Sequence, residues 1–529
     1  MAEEGPVVFT RRASGLVREV GIFTAMAIGL THTIGGGINN YMVQMPYSAP
    51  GSNVPAAFAI AGLFTLFTAV SYSMLGVAMP RTGGDYIYIS RSINPVLGFV
   101  TSWGFWLTEL LSLGIIAYID IPFWGTAFRI YGSASGSESA FDTATTLSEN
   151  QGVILTLAII ICIVSALVTY LGTRVYSWII NIGLVAGILG SIAMVGYFLI
   201  RTGQPYNELW NSVYGAGSYE KIMNNPDAIA AWSGVTKGMG ATLQASIVCV
   251  WAYIGFTAAA YMGGEVKNPT KGMIWAVTGA AALIIAYYLL LSFLVYGKVG
   301  DEFLYKYNYM FNNQLDTLKT YIRNPSGPIL PAFACALTTN HSVQMLIAVS
   351  GAIWLLNDIP AFFLVCSRLV FSWSFDRFFP EKFAEVNDRF HSPHYAILLT
   401  MFGGFFGVWM AYGNTWVAAL DTTFLYIFAI MFGCLSAAVL PYIRRDIYEK
   451  SPSIEIGGVP LMTIAGVLGF TGNFFLLLNA AVGMVADLSN AFFECCWMGI
   501  GVILFVAFWN YNRKRGVDTS KIYAEIPPA

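Results

Sequence analysis

Charged side chains are scarce in this sequence, and long stretches have none at all. Only 11% of the 529 residues are Asp, Glu, Lys or Arg, whereas 56% are hydrophobic. Between Val20 and Pro80 there is not one charged residue. An ordinary soluble domain carries about 25% charged residues. The composition therefore excludes a soluble globular protein and indicates a protein that crosses a membrane several times.

Cysteine and histidine are too few and too scattered to indicate a metal centre or a disulfide framework. The seven cysteines have no paired spacing, and the four histidines do not form an HExxH or similar zinc pattern. We interpret the cysteines as small packing residues. We expect no metal and no cofactor, apart from a coupling ion that would be H+ or Na+.

Apolar runs of about 20 residues are long enough to cross a bilayer, and such runs recur along the chain. They predict an all-α integral membrane protein. The twelve predicted spans lie near residues 20–46, 54–79, 95–119, 152–172, 175–200, 239–263, 272–297, 341–371, 394–412, 416–441, 459–481 and 488–510.

The placement of basic residues predicts the orientation. With a cytoplasmic N-terminus, 19 of the 27 Lys and Arg residues, Arg11 and Arg12 among them, fall in cytoplasmic segments, as the positive-inside rule requires. We expect a multi-pass protein of the plasma membrane, with cytoplasmic tails at 1–19 and 511–529. Because the tail 1–19 is polar and the first apolar run is too long for a signal peptide, we expect no cleavable signal. Of the large outer loops, the Ser/Thr-rich segment 133–150 is predicted to be mobile.

Two of the predicted spans are interrupted by glycine. The first contains Gly35-Gly-Gly37, and the second contains Trp251-Ala-Tyr-Ile-Gly-Phe256. An unpaired backbone group in lipid costs several kcal/mol, so a membrane helix breaks only where the freed groups line a site. Paired interruptions in two halves of a chain are typical of a substrate site between inverted repeats. The pattern favours a secondary transporter.

Three cytoplasmic motifs sharpen this interpretation. They are Pro80-Arg-Thr-Gly-Gly-Asp-Tyr-Ile-Tyr-Ile-Ser-Arg91, Glu265-Val-Lys-Asn-Pro-Thr-Lys271, and Ser367-Arg-Leu followed by Phe375-Asp-Arg-Phe-Phe-Pro-Glu-Lys382. With these three motifs and the glycine break of the first span, the sequence resembles the amino acid–polyamine–organocation (APC) transporter superfamily over residues 20–440.

The resemblance implies a fold and a substrate class. The implied fold is the leucine-transporter-like 5+5 inverted repeat, with a transport core at 20–441 and two extra helices within 442–510. The usual substrates are amino acids and related amines. We therefore expect a small-molecule substrate and the lipid bilayer as partners, and no nucleic acid; the oligomeric state stays open.

The two breaks suit a zwitterion. Freed amides at a half-helix N-terminus, aided by the helix dipole, favour a carboxylate, and the carbonyls of the second break favour an ammonium group. Trp251 resembles the aromatic gate of the family, and Ile254 departs from relatives that have glycine there. The predicted substrate-binding residues are Ile34, Gly35, Gly36, Gly37, Trp251, Tyr253, Ile254, Gly255, Phe256 and Thr257.

Ionisable residues inside spans are candidates for ion coupling, because a charge in hydrocarbon is expensive. Glu109, Asp358 and His32 are the three candidates. Each would carry protons, contact the substrate or an ion, or form a structural hydrogen bond. Some proton-coupled members of the superfamily have a lysine in the fifth span, but residues 175–200 contain none. We interpret Asp120, Asp421 and Glu494 as structural.

A further set of charges is predicted to lie at the inner ends of the spans. These residues either form a cytoplasmic gate or only fix topology and cap loops, and the sequence leaves both interpretations open. The candidates are Arg81, Asp85, Glu265, Lys267 and Arg368, together with Arg91.

The leading hypothesis is an amino-acid or amine permease that works by alternating access. We expect no enzyme: an intramembrane aspartyl protease would need YD and GxGD contexts, which Tyr118-Ile-Asp120 and Gly83-Gly-Asp85 do not match. The alternatives are a carrier of the same fold for another small solute, such as a nucleobase, and a nutrient sensor that does not transport.

Overall fold

The computed structural model describes residues 15–413, 422–449, 451, 454–486 and 488–526. Most of the predicted N-terminal tail, with Arg11 and Arg12, lies outside the described residues, as does Asp421. Within the described part the chain is almost entirely helical, as the sequence predicts.

The helices follow one another with short connections. The first thirteen are α1 Ile22–Thr33, α2 Met42–Ser48, α3 Val54–Ala78, α4 Asp85–Ser92, α5 Pro95–Ser135, α6 Glu138–Glu149, α7 Gln151–Tyr170, α8 Thr173–Ile200, α9 Tyr206–Tyr214, α10 Ser218–Met223, α11 Pro226–Ser233, α12 Met239–Ala252 and α13 Ala258–Tyr261. The remaining twelve are α14 Pro269–Met273, α15 Ala280–Lys298, α16 Asp301–Asn313, α17 Leu315–Tyr321, α18 Leu330–Cys335, α19 His341–Phe375, α20 His394–Gly413, α21 Thr423–Ile443, α22 Arg445–Tyr448, α23 Leu461–Ala486, α24 Leu488–Lys514 and α25 Thr519–Ala524.

Three irregular helical turns and one small hairpin complete the described elements. Gly37–Tyr41 and Ile274–Gly279 are π-helical, and Glu381–Ala384 is a 3-10 turn. Strands β1 Glu455–Ile456 and β2 Val459–Pro460 pair antiparallel, with Glu455 opposite Pro460.

Ten helices of the described residues are long and apolar enough to cross a membrane. They are α3, α5, α7, α8, the continuous run Pro269–Lys298, α19, α20, α21, the part Leu461–Val482 of α23, and α24. All ten coincide with predicted spans. The first and sixth predicted spans are the two that are interrupted, by the gaps between α1 and α2 and between α12 and α13.

Burial distinguishes the helices of the interior from those at the periphery. In the most apolar segments of α5 and α19, 83% of the residues are buried, whereas in that of α24 only 17% are buried. On α8, large apolar side chains such as Trp178 and Ile192 are more than half exposed. Such a surface suits lipid rather than water. The structure is therefore that of a multi-pass membrane protein, with α5 and α19 at its centre.

The prediction of a mobile loop at 133–150 was wrong. This segment forms the end of α5 and the whole of α6, which begins after Ser137; the Ser137 side chain accepts a hydrogen bond from the Ala140 amide. Ala140 and Ala144 are buried. Alanines spaced four residues apart give α6 a narrow apolar face that packs on α5, a pattern hidden by the Ser/Thr content.

Candidate functional site

The first interruption lies between α1 and α2. α1 ends at Thr33, Ile34 leaves the helical conformation with ψ 72°, and helical bonding resumes in the π-turn Gly37–Tyr41. Glycine is required here, because a Cβ on Gly35 would lie 2.5 Å from the Oδ2 atom of Asp358. The first amides after the break have no partner within their own helix. They carry the positive end of its dipole towards the gap.

The second interruption packs directly on the first. α12 ends at Ala252, residues 253–257 form a turn, and α13 begins at Ala258. Gly255 has a φ of 113°, a conformation that only glycine adopts readily. A Cβ on Gly255 would also collide with the backbone carbonyl of His32. The two breaks thus face each other at the same depth of the helix bundle.

A histidine bridges two buried carboxylates beside the first break. The Nδ1 atom of His32 lies 2.7 Å from Oδ1 of Asp358, and its Nε2 atom lies 3.0 Å from Oε2 of Glu109. All three residues are at most 3% exposed, and they come from α1, α19 and α5. We call Glu109, His32 and Asp358 the triad. The three coupling candidates, predicted separately, are therefore one cluster.

A small cavity lies between the two breaks. Its volume is about 20 Å³, roughly the space that one water molecule needs. The lining combines two members of the triad, His32 and Asp358, with residues of both breaks, α5 and α19: Thr33, Gly36, Gly37, Ser112, Ile116, Trp251, Ala252, Ile254 and Phe362. Because a solute larger than water does not fit, this conformation holds the site closed.

Four of the ten predicted substrate-binding residues line this cavity, namely Gly36, Gly37, Trp251 and Ile254. The Trp251 ring meets that of Tyr41 edge to face at 5.0 Å. Ile254 is buried, and its side chain forms part of the cavity wall.

The other six predicted substrate-binding residues shape the breaks themselves. Gly35 and Gly255 allow the close approaches described above, and the Tyr253 hydroxyl points to the Phe58 carbonyl at 3.2 Å. The Ile34 side chain lines a groove against α8. Phe256 and Thr257 are each 1% exposed within the turn. A role in binding stays a prediction for all ten.

Tyr288 connects the two breaks and was not predicted from the sequence. Its hydroxyl lies 2.6 Å from the carbonyl oxygen of Thr33 and 3.1 Å from that of Ala252. These two carbonyls are the last of α1 and α12, so the single O–H of one phenol lies within hydrogen-bond reach of acceptors freed at both breaks. Tyr288 sits in an apolar run of α15, where nothing in the sequence marks it.

Two buried ion pairs lie at the end of the bundle that is predicted to face the cytoplasm, one between α19 and the turn before α14, and one between α4 and the residue that follows α19. Arg368 donates from Nε and Nη2 to the two carboxylate oxygens of Glu265, both at 2.9 Å. Arg91 lies 2.6 Å from Asp376, which also accepts a hydrogen bond from Tyr86. Two gate candidates, Glu265 and Arg368, thus meet, and Arg91 pairs with a residue that the sequence showed only as part of a motif.

Asp85 occupies a different position from the other gate candidates. It opens α4, between the membrane-crossing helices α3 and α5, and accepts a hydrogen bond from Tyr261. Among the described residues it forms no ion pair. Burial raises the pKa of Asp85 to about 7; the hydrogen bond from Tyr261 opposes this shift, and the charge of Glu109 adds to it. Asp85 can therefore change its charge near neutral pH.

Arg81 and Lys267 are the two gate candidates that are not fully buried. Arg81 is half-buried, and its pKa is lowered, mainly by burial and also by the charge of Arg18. The Lys267 side chain is exposed, while its amide donates to the carbonyl of Val20 at 2.8 Å. The two carboxylate oxygens of Glu265 are bound by Arg368, and the Lys267 side chain forms no ion pair among the described residues.

These features define a class of protein: a helical membrane transporter whose closed polar site lies between two interrupted spans. Residues 20–508 match the family model described as Amino acid permease. The chain therefore belongs to the amino acid permease family, and the resemblance to the APC superfamily is confirmed.

Named relatives show how diverse this family is. The chain is 23% identical over 477 residues to the serine/threonine exchanger SteT of Bacillus subtilis, with 88% of this chain and 91% of the relative covered. It is 22% identical over 502 residues to the branched-chain amino acid permease BcaP of Lactococcus lactis, covering 93% and 94%. A methylthioribose transporter of Bacillus subtilis is 23% identical over 390 residues, covering 72% of each chain. The relatives support a transporter and differ in what their names say they carry.

Proposed function

We propose that this protein is a secondary active transporter that carries an amino acid or a related amine by alternating access. The observation that carries the proposal is the pair of breaks: two interrupted spans face each other around a closed polar cavity. Interrupted spans at the centre of a bundle are where this class of transporter binds its substrate. Family membership supports the same conclusion.

The proposed architecture adds the two interrupted segments to the ten continuous spans. We propose twelve crossings, with residues 20–441 as the 5+5 inverted repeat and 442–510 as two extra helices. Lys and Arg lie mostly in the segments assigned to the cytoplasm, so both tails, 1–19 and 511–529, are placed there. The plasma membrane is the proposed location.

The cavity offers two different ends to a zwitterion. On one side, the Gly36 and Gly37 amides at the start of the second half-helix suit a carboxylate. On the other, the Asp358 carboxylate and the backbone of the second break suit an ammonium group. Trp251 and Tyr41 would close the site towards the outside, and the pair of Glu265 and Arg368 would close it towards the cytoplasm. Entry of substrate requires one of these closures to open.

A carrier for a different small solute is the second candidate. The Ala252 carbonyl, which the zwitterion hypothesis would offer to an ammonium group, already accepts a hydrogen bond from Tyr288. The Ile254 side chain also occupies space in the cavity wall that a glycine at this position would leave to a ligand. One relative is named for methylthioribose, which is not an amino acid. These observations favour testing neutral solutes, including nucleobases, beside amino acids.

The test is ligand-dependent thermal stability of the purified protein, followed by uptake into proteoliposomes. A ligand that binds only the folded state stabilises it by about 2.7 kcal/mol at a hundred times its Kd. The panel contains amino acids of each charge class, polyamines, nucleobases and methylthioribose, each with and without sodium. We expect one amino-acid or amine class to raise the melting temperature and to enter the vesicles.

If only nucleobases or methylthioribose stabilise the protein, the proposed substrate class is wrong, but the proposed transport function is retained. Binding of an amino acid without uptake or exchange in vesicles would favour the sensor. No stabilisation and no exchange with any member of the panel would overturn the proposal.

A further inference from the structure

The two hydrogen bonds of His32 determine how many protons the triad holds. Each bond, to Glu109 and to Asp358, needs one hydrogen between nitrogen and oxygen. A neutral imidazole carries only one N–H and an ionised carboxylate carries no hydrogen. The closed site therefore holds either an imidazolium between two carboxylates, or a neutral imidazole beside one protonated acid. In both cases two hydrogens are shared and the net charge is −1.

One oxygen of the triad is still able to take a third proton. The Oε1 atom of Glu109 is buried and has no hydrogen-bond partner among the described residues. A proton placed there leaves both bonds of His32 intact and brings the triad to neutrality. The triad can thus alternate between two charge states without being taken apart, which is what an ion-coupling site requires.

Around Glu109 and Asp85 lie further buried polar atoms that have no hydrogen-bond partner among the described residues. Within the described part of the chain these are the hydroxyls of Tyr72 and Tyr426 and the Oδ2 atom of Asp85. The other Asp85 oxygen accepts a hydrogen bond from Tyr261. Buried polar groups of this kind are normally bridged by water. Together they connect the triad with α4, outside the membrane-crossing helices.

Aromatic packing holds the rings of Tyr261 and Tyr426 on the same side of α5. The Phe105 ring, one helical turn before Glu109, stacks on that of Tyr261 at 5.2 Å and lies 5.6 Å from that of Tyr426. Glu109 interacts electrostatically with Asp85, Tyr261 and Tyr426. These residues belong to α4, α13 and α21, so three helices surround Glu109 on the side of its Oε1 atom.

We infer that the coupling ion is a proton, that it binds the free oxygen of Glu109, and that it exchanges with the cytoplasm through Asp85. This inference rests on the proposed transport function and names its coupling ion. On release, the Glu109 carboxylic acid gives its proton to a bridging water. The proton passes along the tyrosine hydroxyls to the Asp85 carboxylate. Glu109 is then charged and Asp85 neutral, and Asp85 later loses the proton to cytoplasmic water.

The charge environment suits this transfer. A pKa of Asp85 near 7, caused mainly by burial, lets it accept and release protons at cytoplasmic pH. The groups around the path are mostly acids and phenols. The titratable neighbours of Glu109 and Asp85 on the packed helices are His32, Tyr72, Tyr88, Tyr261, Asp358, Cys366 and Tyr426.

The experiment separates proton coupling from substrate transport. Proteoliposomes are loaded with radiolabelled L-serine, L-leucine or L-arginine, and the amino acid that exchanges best is chosen. Exchange at equal pH needs no net proton movement, whereas accumulation driven by a pH gradient does. Asp85→Asn is compared with Asp120→Asn, which alters another buried acid on α5 that is bound to Trp124 and lies outside the path.

We expect Asp85→Asn to keep exchange and to slow gradient-driven accumulation at least about tenfold, as loss of a proton-transfer group does. Asp120→Asn should keep both activities. Glu109→Gln should abolish the response to the gradient. Normal accumulation in Asp85→Asn would overturn the path, and accumulation driven by sodium but not by pH would overturn proton coupling. Failure of the unaltered protein to exchange any of the panel solutes would instead overturn the transport function itself.

Discussion

His32 and Asp358 are joined by a hydrogen bond of 2.7 Å between Nδ1 and Oδ1, and this contact ties the end of α1 to the middle of α19. The other oxygen of Asp358 rests against Gly35, so the same carboxylate also fixes where the first span breaks. The triad thus determines both where the first span breaks and which charge lies beside the break. A change in the protonation of the triad would act directly on the backbone that we propose binds the substrate.

Removing the imidazole should destabilise the protein strongly. His32→Ala leaves Glu109 and Asp358 buried without their shared partner, and breaking a buried charged network costs about 3–5 kcal/mol. We expect a clear fall of the melting temperature in detergent. The double variant His32→Ala/Asp358→Asn should recover part of the loss, because one stranded charge is neutralised. An unchanged melting temperature of His32→Ala would contradict the bridging role.

A bulky side chain at Gly36 should abolish ligand binding. A Cβ there would already lie 2.7 Å from Ile116, and the rest of a leucine side chain would fill the cavity. Gly36→Leu should therefore lose the stabilisation by ligand that the unaltered protein shows. Gly499→Leu on α24 is the matched control, since no atom lies within 4 Å of a Cβ at that position. Normal binding by Gly36→Leu would remove the glycine break from the binding site.

Tyr288→Phe should weaken the coupling between the two breaks. The change removes the one O–H that the carbonyls of Thr33 and Ala252 share in a buried site, and an unsatisfied buried acceptor costs about 1–3 kcal/mol. Stability in detergent should fall by that amount. Tyr287→Phe is the control, because it removes the hydroxyl of the neighbouring residue, which among the described residues is hydrogen-bonded to Ser191 alone. Equal losses in the two variants would contradict a special role for Tyr288.

The membrane class, the spans and the two breaks could be predicted from the sequence because each depends on local composition. Long apolar runs give spans, and Gly35 to Gly37 and Gly255 mark positions where a side chain has no room. The segment 133–150 was misread because its Ser and Thr residues concealed the small apolar face given by Ala140 and Ala144.

The connections between helices could not be predicted in this way. His32, Glu109 and Asp358 are separated by 77 and 326 positions, so each appears alone in an apolar run and only packing unites them. Tyr288 is one tyrosine among the 29 of the chain. Its role depends on a hydroxyl reaching two carbonyls, for which a single sequence carries no signal.

Neutralising Glu265 should loosen the inner face. Its two bonds to Arg368 are buried, and a glutamine keeps the shape but leaves the guanidinium without a counter-charge. With Cys366 retained as the only cysteine, maleimide labelling from the cytoplasmic side should rise, because Cys366 is fully buried two residues from Arg368. Glu449→Gln, which alters an exposed pair with Arg445, should not change the labelling. Equal labelling in all forms would contradict an inner gate at Glu265.

The titration of Asp85 should be visible in the pH dependence of stability. Its pKa is about 7 in the folded protein and about 3.9 in an unfolded chain, so the folded state binds this proton more tightly. The stabilisation is complete below about pH 4 and is lost as the pH rises to about 7; it amounts to at most about 4 kcal/mol. Asp85→Asn lacks this slope, so its stability relative to the unaltered protein should improve between pH 4 and pH 8.

A second variant tests the cause of that slope. Tyr261 donates to the Asp85 carboxylate and so opposes the effect of burial. Tyr261→Phe removes this hydrogen bond, and the loss of stability should then extend to a pH above 7. Thermal denaturation of the three proteins across the pH range gives both results. Parallel curves for Asp85→Asn and the unaltered protein would show that Asp85 is ionised in the folded state throughout, and the proton path would lose its cytoplasmic end.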